Sequence, residues 1–176
     1  MEIVPTDFEG LFEVNHFTVS DARGLFVKTF NAKLFEEHGI NFQTKEMFYS
    51  VSGKNVLRGM HFQEPPYALD KLIYVTSGKA LHVIVDMRKS SPTYNKHITF
   101  SLGLHTQGLF IPNGMAYGFL SLSTNTCMMY SLSSVYNKEM DKGVKWDSIG
   151  FDWPVACPII SARDLRFPDL SNYNSP

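Results

Sequence analysis

The stretch LRGMHFQEPPYALDKLIYV brings together three ionisable residues of different kinds: Arg58, His61 and Lys71. A neutral imidazole can take a proton, an ammonium can hold a developing oxyanion, and a guanidinium can grip phosphate through two parallel hydrogen bonds. Such groups clustered in a cavity are what proton-transfer chemistry needs. A histidine alone in a strand is more often a packed side chain than a catalyst, and His82, His97 and His105 are read that way. His61 is set apart by its company.

The elements that must position these residues are short strands separated by turn signals. GLFEVNHFTV alternates apolar and polar residues and ends at the turn SDARG; GLFVKTF, MFYSVS and VLRGMHFQ follow. AKLFEEHG is the best helical segment, with Gly39 as its stop. KLIYVT and ALHVIVDMR flank SGK, a hairpin signal. HITFSL, GLFIP, YGFLSLS and TCMMYSLSSVY carry the pattern to about Tyr136. Beyond it, a tail rich in Pro, Trp and Asp is expected to wrap the surface in loops and a short helix. The reading is all-β, a sandwich or barrel, of which the cupin jelly roll with short flanking helices is one form.

The 176 residues fit one domain, 1–176. A net charge of -1 without any basic run speaks against a nucleic-acid surface. No apolar run is long enough to span a bilayer, and MEIVPTDFEG has no signal-peptide pattern. Cys127 and Cys157 are far apart and lack CxxC spacing, so two free thiols and a cytoplasmic location are expected.

A metal centre in such a barrel needs several converging nitrogen or oxygen ligands. Two positions past His61 stands Gln63, and after the Pro–x–Gly turn of IPNGMAYGF stands Tyr117. His16, His38, His82, His97 and His105 have no ligand-type spacing. A metal site is therefore disfavoured.

VLRGMHFQ, KLIYVTSGKALHVIVDMRKSSPTY, LFIPNGMAYGFLSLS and GFDWPVACPIISARD together resemble the dTDP-4-dehydrorhamnose 3,5-epimerase family, in order and spacing, from about Asp21 to Asp164. The resemblance implies a metal-free cupin homodimer that uses no cofactor. It would invert carbons beside the ketone of a nucleotide-diphosphate-linked 4-keto-6-deoxyhexose. It casts His61 as the base, Asp164 as the carboxylate that orients it, Lys71 as the enolate-stabilising cation and Tyr130 as the acid on the opposite face. Arg23 and Arg58 match arginines that hold the diphosphate, and Arg163 shares the SARD motif with Asp164 and is grouped with the substrate contacts. Tyr136 would share a face with Tyr130 if the strand is regular, because strand side chains alternate.

The departures from the family pattern fall at binding positions. Tyr117 replaces a histidine, Lys28 a glutamate, and Glu46 and Phe48 stand for a glutamine and an asparagine. Acid–base chemistry is kept while nucleoside and sugar recognition is changed. This opens the choice of nucleotide and of one or two inverted carbons. The rival readings are a single-centre 3- or 5-epimerase on a GDP-, CDP- or dTDP-linked sugar, and a non-catalytic sugar-nucleotide-binding cupin, which would need neither base nor acid.

Overall fold

Strand alternation governs the architecture. The computed structural model describes residues 1–104 and 107–174, so His105 lies outside the described residues. The strands are β1 (Glu2–Pro5), β2 (Phe12–Asn15), β3 (Phe17–Asp21), β4 (Gly24–Lys28), β5 (Glu46–Ser52), β6 (Leu57–Gln63), β7 (Lys71–Ser77), β8 (Lys79–Asp86), β9 (His97–Gly103), β10 (Gln107–Ile111), β11 (Met115–Ser121), β12 (Thr126–Leu132) and β13 (Asp141–Gly143), with one helix, α1 (Ala32–Glu37). Among these residues a six-stranded sheet runs β1-β2-β10-β7-β12-β5, and a five-stranded sheet runs β13-β6-β11-β8-β9. Every strand pairing is antiparallel. Their inner faces meet as a cupin-type jelly roll around one apolar core. Ile73 and Leu109 come to it from one sheet, Ile84 and Met115 from the other.

SGK does not close a hairpin: β7 pairs with β10 and β12 in the six-stranded sheet and β8 with β11 and β9 in the five-stranded one, so this turn carries the chain from one sheet to the other. Gly78 takes the turn at φ 79°, a backbone conformation that side chains disfavour. α1 is capped by Asn31, whose side chain accepts from the Leu34 amide. It buries Phe35 edge-on to Phe30 and Phe110 and tilted against Phe42, an aromatic cluster on the outer side of the six-stranded sheet.

Four further expectations need correction. GLFEVNHFTV is not one strand. It breaks at His16 into β2, which buries Val14 in the six-stranded sheet, and β3, which pairs only with β4 in a separate, exposed hairpin. The alternation changes phase at the break, from Phe12 and Val14 to Phe17 and Val19 across the polar pair Asn15 and His16. β1 and β13 are further strands, short segments that acquire regular backbone by pairing with β2 and β6. β12 ends at Leu132, so Tyr136 sits on the following loop and not on Tyr130's strand. Finally, the tail does more than cover the surface. It buries Val144, Ile149, Trp153 and Leu170 in a second core behind β6, β8 and β11. Its two short helical pieces are 3-10 turns at Asp164–Arg166 and Leu170–Asn172.

Candidate active site

A cavity of about 290 Å³ opens between the two sheets. Alternation on β5 turns Glu46, Phe48 and Ser50 into it and leaves Met47, Tyr49 and Val51 exposed outside. β6 contributes Arg58 and His61, β7 Lys71, β11 Tyr117 and β12 Tyr130; Tyr136 and Asp141 also border it. A second pocket shares Arg58 and His61 and is bordered by Arg163 and Asp164. The two pockets thus meet at His61.

His61 sits beside a close backbone approach. Gly59 has φ 133°, and a Cβ there would lie 2.4 Å from the Gly118 Cα. The glycine of RGMH is therefore required by the crossing of β6 and β11. The His61 Nε2 is 2.9 Å from Asp164 Oδ1, a close contact short of an aligned hydrogen bond. Asp164 is 3% exposed. Its Oδ2 accepts from the Gly59 amide at 3.2 Å, and its Oδ1 from Arg163 Nε at 3.2 Å. Burial pushes the Asp164 carboxyl up. His61, the Gly59 amide and Ser161 outweigh it, so its pKa falls to about 2. Asp164 stays ionised and can stabilise a protonated His61. The ring of Phe167 lies edge-on to the imidazole, with centroids 5.6 Å apart.

Lys71 reaches into the cavity wall, where its Nζ donates to the His61 carbonyl at 3.2 Å and lies 5.8 Å from the centre of the Tyr117 ring. Burial lowers its pKa to about 8, and Asp141 opposes that fall. Tyr130 is buried, and its ring stacks on Phe48 with centroids 4.6 Å apart. Burial raises the Tyr130 phenol to about 12, against the pull of Ser50, Tyr117 and Arg58. His61 and Tyr130 come from opposite sheets, His61 from the five-stranded and Tyr130 from the six-stranded. A ring bound between them would meet one on each face.

The other residues singled out from sequence divide. Arg58 borders the cavity and is held through Nε by the Ser52 hydroxyl at 3.1 Å. The Glu46 carboxylate accepts from the Tyr136 amide at 2.8 Å and ties that loop over the mouth. Arg163 is bound by two carboxylates, Asp141 and Asp164. Arg23 and Lys28 are not brought to the cavity. Arg23 projects from the β3–β4 hairpin with its side chain 91% exposed and pairs with Asp21, while Lys28 lines a groove with Phe17 and Asn31.

Sequence reasoning missed Ser50 and Asp141. Ser50 was accessible, since it shares the period of Glu46 and Phe48. Asp141 carries no local signal. Among the described residues no group of three or more His, Cys, Asp or Glu is placed to hold a metal ion. Gln63 is instead a structural tie, donating to the Tyr67 and Val135 carbonyls and accepting from the Asn137 amide.

The profile of the dTDP-4-dehydrorhamnose 3,5-epimerase family matches residues 5–172. The dTDP-4-dehydrorhamnose 3,5-epimerase of Shigella flexneri is 36% identical over 170 residues, covering 94% of each chain. A Bacillus anthracis dTDP-4-dehydrorhamnose 3,5-epimerase, solved with TDP and pyrophosphate bound, superposes with a TM-score of 0.92 at 34% identity, over 96% of this chain and 99% of that one. A 3'-monoepimerase from Streptomyces bikiniensis in complex with dTDP-quinovose gives 0.91 at 28% identity, over 96% and 87%. With this coverage of sequence and fold, the chain belongs to the dTDP-4-dehydrorhamnose 3,5-epimerase family.

Proposed function

We propose that this chain is an isomerase that inverts carbons 3 and 5 of a nucleotide-diphospho-4-keto-6-deoxyhexose, in deoxysugar synthesis for polysaccharide. The observation that carries the reading is the placement of His61 and Tyr130 on opposite sheets of one cavity, with the Lys71 ammonium in its wall. A proton beside a ketone is removable only if the enolate oxygen is stabilised. His61 takes that proton, Asp164 holds the resulting imidazolium, and Lys71 faces the oxyanion. Tyr130 then delivers a proton to the other face, and the carbon is inverted. No step calls for a metal or a cofactor.

Arg58 and Tyr136 at the mouth, with Arg163 beside the second pocket, are suited to the diphosphate and its neighbours. We further read the molecule as a cytoplasmic homodimer. Phe17, Val19, Leu25 and Phe26 on the hairpin are exposed, as are Met47, Tyr49 and Val51 on β5, an edge strand. An apolar edge of this kind is a pairing surface. If Arg23 and Lys28 contact substrate, they do so in the partner's cavity, to which the hairpin would carry them. Sedimentation at two protein concentrations tests the dimer.

A second reading, inversion at carbon 3 alone, is favoured by the likeness to the Streptomyces bikiniensis 3'-monoepimerase. One experiment separates the readings: incubation with several 4-keto sugar nucleotides in deuterated water, with deuterium counted at each carbon. Incorporation with inversion at two carbons supports 3,5-epimerisation, and at one carbon the single-centre reading. Binding without incorporation leaves a sugar-nucleotide-binding protein.

A further inference from the structure

His82 is fully buried on β8, behind Tyr117 and away from the cavity. Its Nδ1 lies 3.0 Å from the Tyr117 hydroxyl, and the two rings stack with centroids 5.9 Å apart. Its Nε2 has no hydrogen-bond partner among the described residues. Burial lowers its pKa to about 3, so the imidazole is neutral and carries one N–H. On Nε2 that hydrogen would be a buried donor without an acceptor, a rarer and costlier defect than an unsatisfied acceptor. The hydrogen therefore belongs on Nδ1, where it donates to the Tyr117 oxygen.

This assignment frees the Tyr117 O–H. Tyr117 is packed edge-on to Tyr130, with ring centroids 6.4 Å apart, and both border the cavity. Burial raises the Tyr130 phenol, and the neighbouring Tyr117 hydroxyl opposes that rise. The His82 Nδ1–H is spent on the Tyr117 oxygen, which leaves the Tyr117 O–H to be offered to its neighbour Tyr130.

We propose that His82 and Tyr117 are positioning residues that stabilise the phenolate left when Tyr130 gives its proton to the substrate. The inference rests on the epimerase reading above. In the step concerned, the Tyr130 O–H bond breaks and a C–H bond forms at the enolate carbon, using the enolate's C=C electron pair as the ketone reforms. Negative charge passes from the enolate oxygen to the Tyr130 oxygen, in a cavity wall where water solvates it poorly. Tyr117 supplies the hydrogen bond that water would give, and His82 keeps Tyr117 turned to supply it. Solvent reprotonates Tyr130 afterwards.

The test compares wild type with Tyr117→Phe, His82→Leu and His82→Asn, reading deuterium wash-in and inversion separately on the same 4-keto sugar nucleotide, with melting temperatures recorded. Tyr117→Phe keeps the ring and loses only the hydroxyl. Wash-in through His61 should persist while inversion falls about 10- to 100-fold, the scale of one hydrogen bond to a charged group. His82→Asn retains a donor near the Nδ1 position and should lose less inversion than His82→Leu. If Tyr117→Phe inverts at the wild-type rate, or loses wash-in and inversion equally, the proposal is overturned. Equal losses in the two His82 variants overturn the part assigned to His82. A wild type that neither exchanges nor inverts overturns the epimerase reading itself, an outcome distinct from these.

Discussion

The His61 imidazole and the Asp164 carboxylate stand 2.9 Å apart although β6 supplies one and the C-terminal tail the other. The tail thus reaches the cavity's histidine as well as building the second core. Asp164→Asn keeps the shape and removes the charge. Because Asp164 acts through His61, deuterium wash-in and inversion should fall together, by about 10²-fold. Loss of inversion with wash-in intact would assign Asp164 to another step.

The same carboxyl gives a stability prediction. Its folded pKa lies near 2, below the ordinary 3.8, and Asp86, bound by Arg88, Ser91 and Thr93, is also lowered to about 2. A lowered pKa means that folding favours the ionised form. The contribution is full above the unfolded value and is lost as pH falls through the folded one. Each group is worth roughly 2 kcal/mol by this linkage. Melting temperature should hold down to about pH 4 and drop steeply toward pH 2. Asp164→Asn should show a shallower acid decline, and an unchanged decline would remove Asp164 from the account.

On the proposed mechanism Lys71 is expected to set the alkaline limit of turnover. Burial lowers its pKa to about 8, and only the protonated form can face an enolate oxygen. Turnover should therefore fall above about pH 8, while stability from this group rises between its folded and unfolded pKa values, because the unfolded chain binds the proton more tightly. Lys71→Arg should flatten the alkaline limb at reduced overall rate. Asp141→Asn should move the limb to lower pH. An alkaline limb unmoved by Lys71→Arg assigns the titration elsewhere.

Tyr130→Phe separates the two halves of the reaction. His61 can still remove the proton and return a solvent deuteron to the same face. Wash-in should survive while inversion drops about 10²–10⁴-fold, the usual contribution of a general acid. Wild-type inversion in this variant would place the acid elsewhere.

Much of this arrangement was legible in the chain. Runs of β-forming residues bounded by turn signals mark β5, β7 and β11, whereas SGK reads as a hairpin and is instead the turn that passes from one sheet to the other. His61, Lys71 and Tyr130 were singled out and share a cavity. Asp164 was different: residue by residue it reads as a surface carboxylate or a cap, and only its family resemblance placed it beside His61. Tyr136 reached the cavity mouth for another reason than strand parity, since its backbone is tied to Glu46 on a loop. Arg23 and Lys28 sit on a hairpin whose position no local pattern determines. His82 was read as a packed histidine, and packing does hold it; its bond to Tyr117 depends on β8 and β11 lying side by side, which is a property of topology.

Nucleotide choice tests the departures at Glu46 and Phe48. A glutamine and an asparagine there could both donate and accept at a nucleoside. Here the Glu46 carboxylate is engaged by the Tyr136 amide, and Phe48 presents an aromatic face stacked on Tyr130. Neither side chain offers a donor. A thymine held by the usual pattern loses partners, at about 1–3 kcal/mol for each buried polar group left unpaired. Stacking on Phe48 tolerates any base, because every base has a π-face. Calorimetric titration with thymidine, cytidine, guanosine and uridine diphosphates should show no preference for the thymidine compound reaching about tenfold, or 1.4 kcal/mol. Phe48→Asn should raise thymidine affinity over the others. A clear thymidine preference in the wild-type protein would show that residues beyond Glu46 and Phe48 read the base, and would return the chain to the nucleotide that its relatives were crystallised with.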